Sequence, residues 1–152
     1  NINNYMFIYY ARFGENIKTE YEIEDECKMA LVPCMILQPL VENSILHGFK
    51  NKEEGVIRIR AYKDDDHLMI EVKDNGSGMN KNILEKLQNY SLDNSEHSIG
   101  LSNIIGRLSF LFKIERPLAV FSNPDSGTQI VIRIPFVTDI ATFEIKGAEI
   151  ND

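Results

Sequence analysis

Apolar and polar residues alternate along this chain with two different periods. From Gly55 to Tyr62 ("GVIRIRAY") and from His67 to Asp74 ("HLMIEVKD") the alternation is strict, and the acidic "KDDD" stretch separates the two runs. Period two around a polar turn predicts a β-hairpin with one face on a core and one face in water. "LAVFSN" and "TQIVIRIPF", joined by "PDSG", repeat the pattern and predict the last two strands. A shorter alternating run, Lys18 to Ile23, predicts an edge strand.

Between the strands the spacing becomes helical. Cys34 to Phe49 predicts a helix with Gly48 near its end. "NKNILEKLQNY" predicts a short helix with Asn80 as its N-cap. "IGLSNIIGRLSFLF" predicts a third through Leu101, Ile104, Ile105, Leu108 and Leu111. Residues 1–13 carry a stripe of Tyr5, Phe7, Ile8 and Tyr9 and predict a further helix, with Gly14 ending it. Ser91 to Ser98 ("SLDNSEHS") has no period and reads as a loop or mobile lid, and residues 137–152 form a tail without a strong signal. Antiparallel strand pairs alternating with helices predict an α+β fold. It is a two-layer α/β sandwich with helices on one face of a mostly antiparallel sheet.

Composition narrows this picture. A chain of 152 residues suits one domain with one core, and 43% hydrophobic with 26% charged residues is a globular balance. The formal net charge of -7 argues against a nucleic-acid binder, which would carry a basic patch for phosphates. It leaves room for a nucleotide, which a few local donors and a metal can hold. Cys27 and Cys34 have no zinc-ligand spacing and read as reduced thiols. No apolar run reaches the ~18–20 residues that span a bilayer, and no signal-peptide pattern opens the chain. The start at Asn1, without Met, predicts a fragment.

Three stretches carry candidate chemistry. On the helix "LQPLVENSILHGF", Gln38, Glu42, Asn43 and His47 fall on one half of the wheel and Leu37, Leu40, Val41 and Ile45 on the other. Leu46 interrupts the polar half. A solvated face explains this too, although a plain surface more often draws Lys and Glu than Asn and His. In "DNGSGM", Asp74 ends a strand, where its carboxylate can accept a hydrogen bond from an exocyclic amine, while Gly76 and Gly78 let the backbone approach a ligand. An ordinary Asp-Asn-Gly turn is the alternative. "SIGLSN" opens a helix, where free N–H groups attract phosphate.

Taken in order, "LVENSILHG", "DNGSGM", "IGLSNIIGRL" and "SGTQIVIRIP" resemble the N, G1, G2 and G3 boxes of the GHKL ATPase superfamily, whose fold is the Bergerat sandwich with an ATP lid. The likeness is greatest to the ATP-binding catalytic domain of sensor histidine kinases. "RFGENIKTEYEIE…VPCMILQPLVENSILHG" is similar to those of LytS/YesM type. The resemblance covers about Tyr9 to Phe136 and implies an ATP-binding catalytic domain over residues 14–136, after the end of an upstream dimerisation helix at 1–13. It implies ATP and Mg²⁺ as cofactors and γ-phosphoryl transfer to a histidine outside this chain, since no "NPHFLFN"-like stretch occurs and His47, His67 and His97 are not placed as acceptors. The implied partners are the phosphoacceptor helices of a homodimeric receptor and a response regulator. The implied location is the cytoplasmic side of a membrane-anchored receptor.

Residue by residue, the resemblance makes Asn43 the Mg²⁺ ligand and Glu42 the residue that polarises the nucleophile. Asp74 would take the adenine amine, supported by Thr128. Gly76 and Gly78 would let the loop pass the base, with Met79 beside them. Gly100, flanked by Ile99 and Leu101, would meet the phosphates. Leu46 stands where these kinases often carry Lys, Ser98 stands where the lid usually has its first glycine, and Gly106 replaces a polar helix residue. His47, Lys50 and Arg107 are the alternatives for the missing cation. The departures leave two other readings, a non-catalytic regulatory module and a serine kinase of the anti-sigma type.

Overall fold

The computed structural model describes residues 16–50, 54–89 and 96–139, without the side chains of 96–99. The expected helix over 1–13, most of the expected lid and the tail beyond 139 lie outside these residues. Among them the sheet has five strands, β1 (Ile17–Ile23), β2 (Gly55–Asp64), β3 (His67–Asp74), β4 (Leu118–Ser122) and β5 (Thr128–Pro135). Their order is β1-β2-β3-β5-β4. β1 runs parallel to β2, and every other pair is antiparallel. Both predicted hairpins are present, and the mixed, mostly antiparallel α/β architecture agrees with the sequence expectation.

Strand alternation decides which face is buried. Ile57 and Ile59 on β2, Leu68, Ile70 and Val72 on β3, Val120 on β4, and Ile130, Ile132 and Ile134 on β5 are all buried. The pairs Ile59–Val72, Val72–Ile130 and Val120–Ile130 place them in rows across one face. Residues between them on the other face, such as Arg58, Arg60, Lys73 and Arg133, stay exposed. Arg58 meets Glu20 there at 2.7 Å, and Tyr62 donates to Glu71 at 2.9 Å.

Three helices complete the core, α1 (Leu37–Asn43), α2 (Lys81–Gln88) and α3 (Glu96–Phe112). Leu40, Val41 and Ile45 from the α1 region, Leu87 from α2, and Leu101, Ile104, Ile105 and Leu108 from α3 share one cluster with the sheet's apolar rows. Fully burying each such side chain stabilises the fold by about 1.5–3 kcal/mol.

Two helix boundaries differ from the sequence expectation. The first helix begins at Leu37 rather than Cys34, because Met35 has a φ of 60°, which no right-handed helix can pass through. Its last turn, Ser44–Gly48, widens into a π turn closed by the Phe49 N–H donating to the Ser44 carbonyl at 3.1 Å. The third begins at Glu96 rather than near Leu101. Asn80 caps α2 as expected, its side chain accepting from the Ile83 N–H at 2.9 Å.

Candidate functional site

Register sets the site. The buried face of β3 is apolar until its last residue, and there the alternation places Asp74, 3% exposed, opposite Ile57. Thr128 begins β5 on the same face, 6% exposed, and donates its backbone N–H to Asp74 Oδ1 at 3.1 Å. The Gly76 N–H donates to the same oxygen at 2.9 Å, and Ser44 Oγ donates to Oδ2 at 2.8 Å. A buried carboxylate with three donors is compensated for its lost hydration and held in one rotamer.

The π turn is what brings α1 to this carboxylate. The Ser44 carbonyl closes the turn and its hydroxyl reaches Asp74. At the other end of the turn, the Ser77 N–H donates to the Gly48 carbonyl at 2.8 Å. The loop after β3 is also pinned to the β4–β5 turn, where the Asp125 N–H donates to the Ser77 carbonyl at 2.7 Å. Gly78 takes a φ of 69°, and a Cβ there would overlap the Asn123 carbonyl oxygen, so only glycine fits.

Between these walls lies a cavity of about 260 Å³, lined by Asn43, His47, Gly48, Asp74, Gly78, Met79, Asn80, Ile83 and Thr128. Of the sequence-predicted residues, Asn43, His47, Asp74, Gly78, Met79 and Thr128 are therefore brought together. Others stand apart from the lining. Gly76 lies against Gly48 behind the wall. Glu42 is half-buried and accepts from Gln38 Nε2 at 2.9 Å, one helical turn away. Lys50 is exposed beyond the π turn.

The α3 residues depart furthest from expectation. Only the first four N–H groups of a helix lack an internal partner. In a helix starting at Glu96 those groups precede Gly100, so Gly100 is not at the exposed helix start the sequence suggested. Its Cα instead faces Pro39 of α1, whose Cβ would lie 3.6 Å from a Cβ built there. Ile99 belongs to the first turn, and Leu101 is a core residue, 1% exposed. Arg107 donates from Nη1 to the Cys34 carbonyl at 2.7 Å and from Nη2 to Cys34 Sγ at 3.2 Å, so its guanidinium is committed away from the cavity.

Sequence reasoning passed over Ser44, Gly48, Asn80 and Ile83 as site residues. Gly48 and Asn80 were visible only as a helix end and a cap. Ser44 sits beside Asn43 in "ENS", and its role appears only with the 30-residue span to Asp74 closed. Two of the lining residues, Asn80 and Ile83, come from the start of α2, whose N-cap brings them over the opening of the glycine loop.

The chain is similar to known proteins in sequence and in fold. The profile of the histidine kinase-, DNA gyrase B-, and HSP90-like ATPase family matches residues 32–138. The sensor histidine kinase YesM of Bacillus subtilis is 38% identical over 135 residues, which is 88% of this chain and 22% of that protein. The sensor protein LytS of Staphylococcus haemolyticus is 34% identical over 137 residues, 88% of this chain and 23% of that one. The chain thus spans less than a quarter of the length of these relatives. Among solved structures, the histidine kinase domain of the blue-light activated kinase EL346 from Erythrobacter litoralis superposes with a TM-score of 0.63 at 15% identity, covering 97% of this chain and 63% of that one. The catalytic domain of histidine kinase ThkA gives 0.53 at 20% identity, covering 90% and 93%. With its sheet order, its buried Asp74 and its match from residue 32 to 138, the chain belongs to the histidine kinase-, DNA gyrase B-, and HSP90-like ATPase family.

Proposed function

We propose that this chain is the ATP-binding catalytic domain of a two-component sensor kinase. It would hold Mg²⁺-ATP for transfer of the γ-phosphoryl group to a histidine outside these residues. The observation that carries this reading is Asp74, a buried carboxylate fixed by three donors on the wall of a cavity that also presents Asn43 and His47. Such a carboxylate is an acceptor for an exocyclic amine, and the cavity is of a size to enclose a base.

The donor set suits magnesium carried by the nucleotide. Among the described residues no cluster of three or more His, Cys, Asp or Glu could cage a metal. Asn43 offers one hard oxygen on the cavity wall, which fits an ion that keeps water and phosphate oxygens in its shell. Bound there, magnesium would neutralise phosphate charge. Glu42, next to Asn43 and oriented by Gln38, is the candidate for polarising the incoming nucleophile. The chain's own work is to bind and orient; the acceptor histidine and its dimerisation helices would be supplied by a longer receptor, and a response regulator would be a separate partner.

A calorimetric titration with Mg²⁺ and a non-hydrolysable ATP analogue tests the binding reading. Wild type is expected to bind, and Asn43→Ala and Asp74→Asn to bind at least about tenfold more weakly. No heat from wild type sinks the proposal. Leu46, 51% exposed where a cation would help, and the diversion of Arg107 favour a second reading, a regulatory module without phosphotransfer. Radiolabel reaching the acceptor histidine in the full-length receptor rejects that alternative.

A further inference from the structure

Ser122 on β4 sits beside the cavity without lining it, and its hydrogen bonds can be counted completely. The Met79 N–H donates to Ser122 Oγ at 2.8 Å. Ser122 Oγ lies 2.9 Å from the Gly127 carbonyl and 3.0 Å from Thr128 Oγ1. A serine hydroxyl has one hydrogen and two lone pairs. The Gly127 carbonyl can only accept, so the Ser122 hydrogen goes there. One lone pair takes the Met79 N–H. The contact with Thr128 then has one polarity left, with Thr128 donating and Ser122 accepting.

This orders the cavity wall. With its hydrogen turned to Ser122, Thr128 Oγ1 has only lone pairs to offer a ligand. Asp74 beside it is a carboxylate whose oxygens already accept from the Gly76 and Thr128 N–H groups and from Ser44. Both polar side-chain groups at this end of the lining are acceptors. A 6-amino purine brings hydrogens to such a wall, whereas a 6-oxo purine brings a carbonyl oxygen against it.

We propose that Ser122 is a specificity-determining positioning residue: by fixing the Thr128 hydroxyl as an acceptor, it makes the cavity select 6-amino over 6-oxo purine nucleotides. The inference rests on the reading of this cavity as a nucleotide site. It assigns to a residue outside the lining the choice between two bases of the same shape.

The test compares ADP with IDP, each with Mg²⁺, by calorimetry on wild type, Ser122→Ala and Ser122→Thr. Wild type is expected to favour ADP by at least about tenfold. In Ser122→Ala the Thr128 hydroxyl is released to donate to the 6-oxo group, and the preference falls to roughly threefold or less. Ser122→Thr keeps a hydroxyl and keeps the preference. A preference unchanged in Ser122→Ala, even with both ligands weakened equally, overturns the proposal, since a purely structural role would do that. So does wild type that binds both ligands equally well. Wild type that binds neither overturns the nucleotide reading itself. If circular dichroism shows Ser122→Ala unfolded, Thr128→Val removes the acceptor with little change of shape, and the preference must narrow there; an unchanged ratio overturns the proposal.

Discussion

Gly76→Ala should separate the two halves of the site. A Cβ at Gly76 would lie 2.6 Å from Gly48 Cα, 2.6 Å from its carbonyl oxygen and 2.7 Å from its carbonyl carbon. Non-bonded carbons rest at about 3.5–4.0 Å, so the loop after β3 and the π turn must part by roughly 1 Å. Both partners are backbone, and no side chain can swing away. The Ser77 N–H bond to the Gly48 carbonyl, now 2.8 Å, would stretch beyond hydrogen-bonding range. Overpacking costs about 1–3 kcal/mol and the lost bond about 1 kcal/mol, so the loss is roughly 2–4 kcal/mol. At about 2–4 °C per kcal/mol for a domain of this size, the midpoint falls by roughly 5–15 °C. Urea titration by circular dichroism measures the loss, and nucleotide affinity should drop with it, because Gly76 also donates to Asp74. A variant within about 0.5 kcal/mol of wild type with unchanged affinity would refute the view that this glycine contact joins the two walls.

Three further perturbations have definite signs. Gly106→Ala on α3 meets no atom within 4 Å and should stabilise the protein by about 1 kcal/mol, raising the thermal midpoint by roughly 2–4 °C; a decrease would mean that this helix is not continuous there. Leu46→Lys places a cation on an exposed position of the π turn and should tighten ATP more than ADP, by about two- to fivefold at low salt and less at high salt; equal effects on both nucleotides would remove Leu46 from the phosphate end. Burial first, then Glu24 and Glu26, push the Cys27 thiol above its ordinary value of 9.0, so the folded state holds this proton more tightly than the unfolded chain. The resulting stability is complete below that value and is lost as pH rises through the folded one, and urea titrations at about pH 8 and about pH 10 should show a larger alkaline loss for wild type than for Cys27→Ala.

What could be read from sequence follows from the range of each interaction. Both hairpins were legible because period-two alternation and a polar turn are local, and Asn80 was legible as a cap for the same reason. The helix of Asn43 divided as its wheel predicts, with Leu40, Val41 and Ile45 buried and Leu46 exposed. The insertion of β5 between β3 and β4, and the parallel pairing of β1 with β2, were not legible, since strand order depends on contacts between distant segments. Neither was the π turn. It stands against Gly76, 28 residues on, a contact that no local pattern encodes. Arg107 shows the reverse failure, for a sequence states that a cation exists and not which carbonyl it will meet.

The electrostatics of the cavity follow from what reached it and what did not. Among the described residues its lining holds Asn43, His47, Asn80 and Thr128 but neither Lys nor Arg, and the one carboxylate among them is already engaged by three donors. An acidic protein, at a net charge of -7, would repel a free triphosphate at long range. A magnesium-bound nucleotide carries less of that charge and presents water and phosphate oxygens that an amide such as Asn43 can meet. On the proposed reading, selectivity would rest on groups of fixed polarity, the Asp74 carboxylate and the Thr128 hydroxyl. Ser44 on a helix holds the Asp74 carboxylate in place, and Ser122 on a strand turns the Thr128 hydroxyl. Leu46 lies outside this lining. The side chain stands half in solvent, and no wall of the site depends on it.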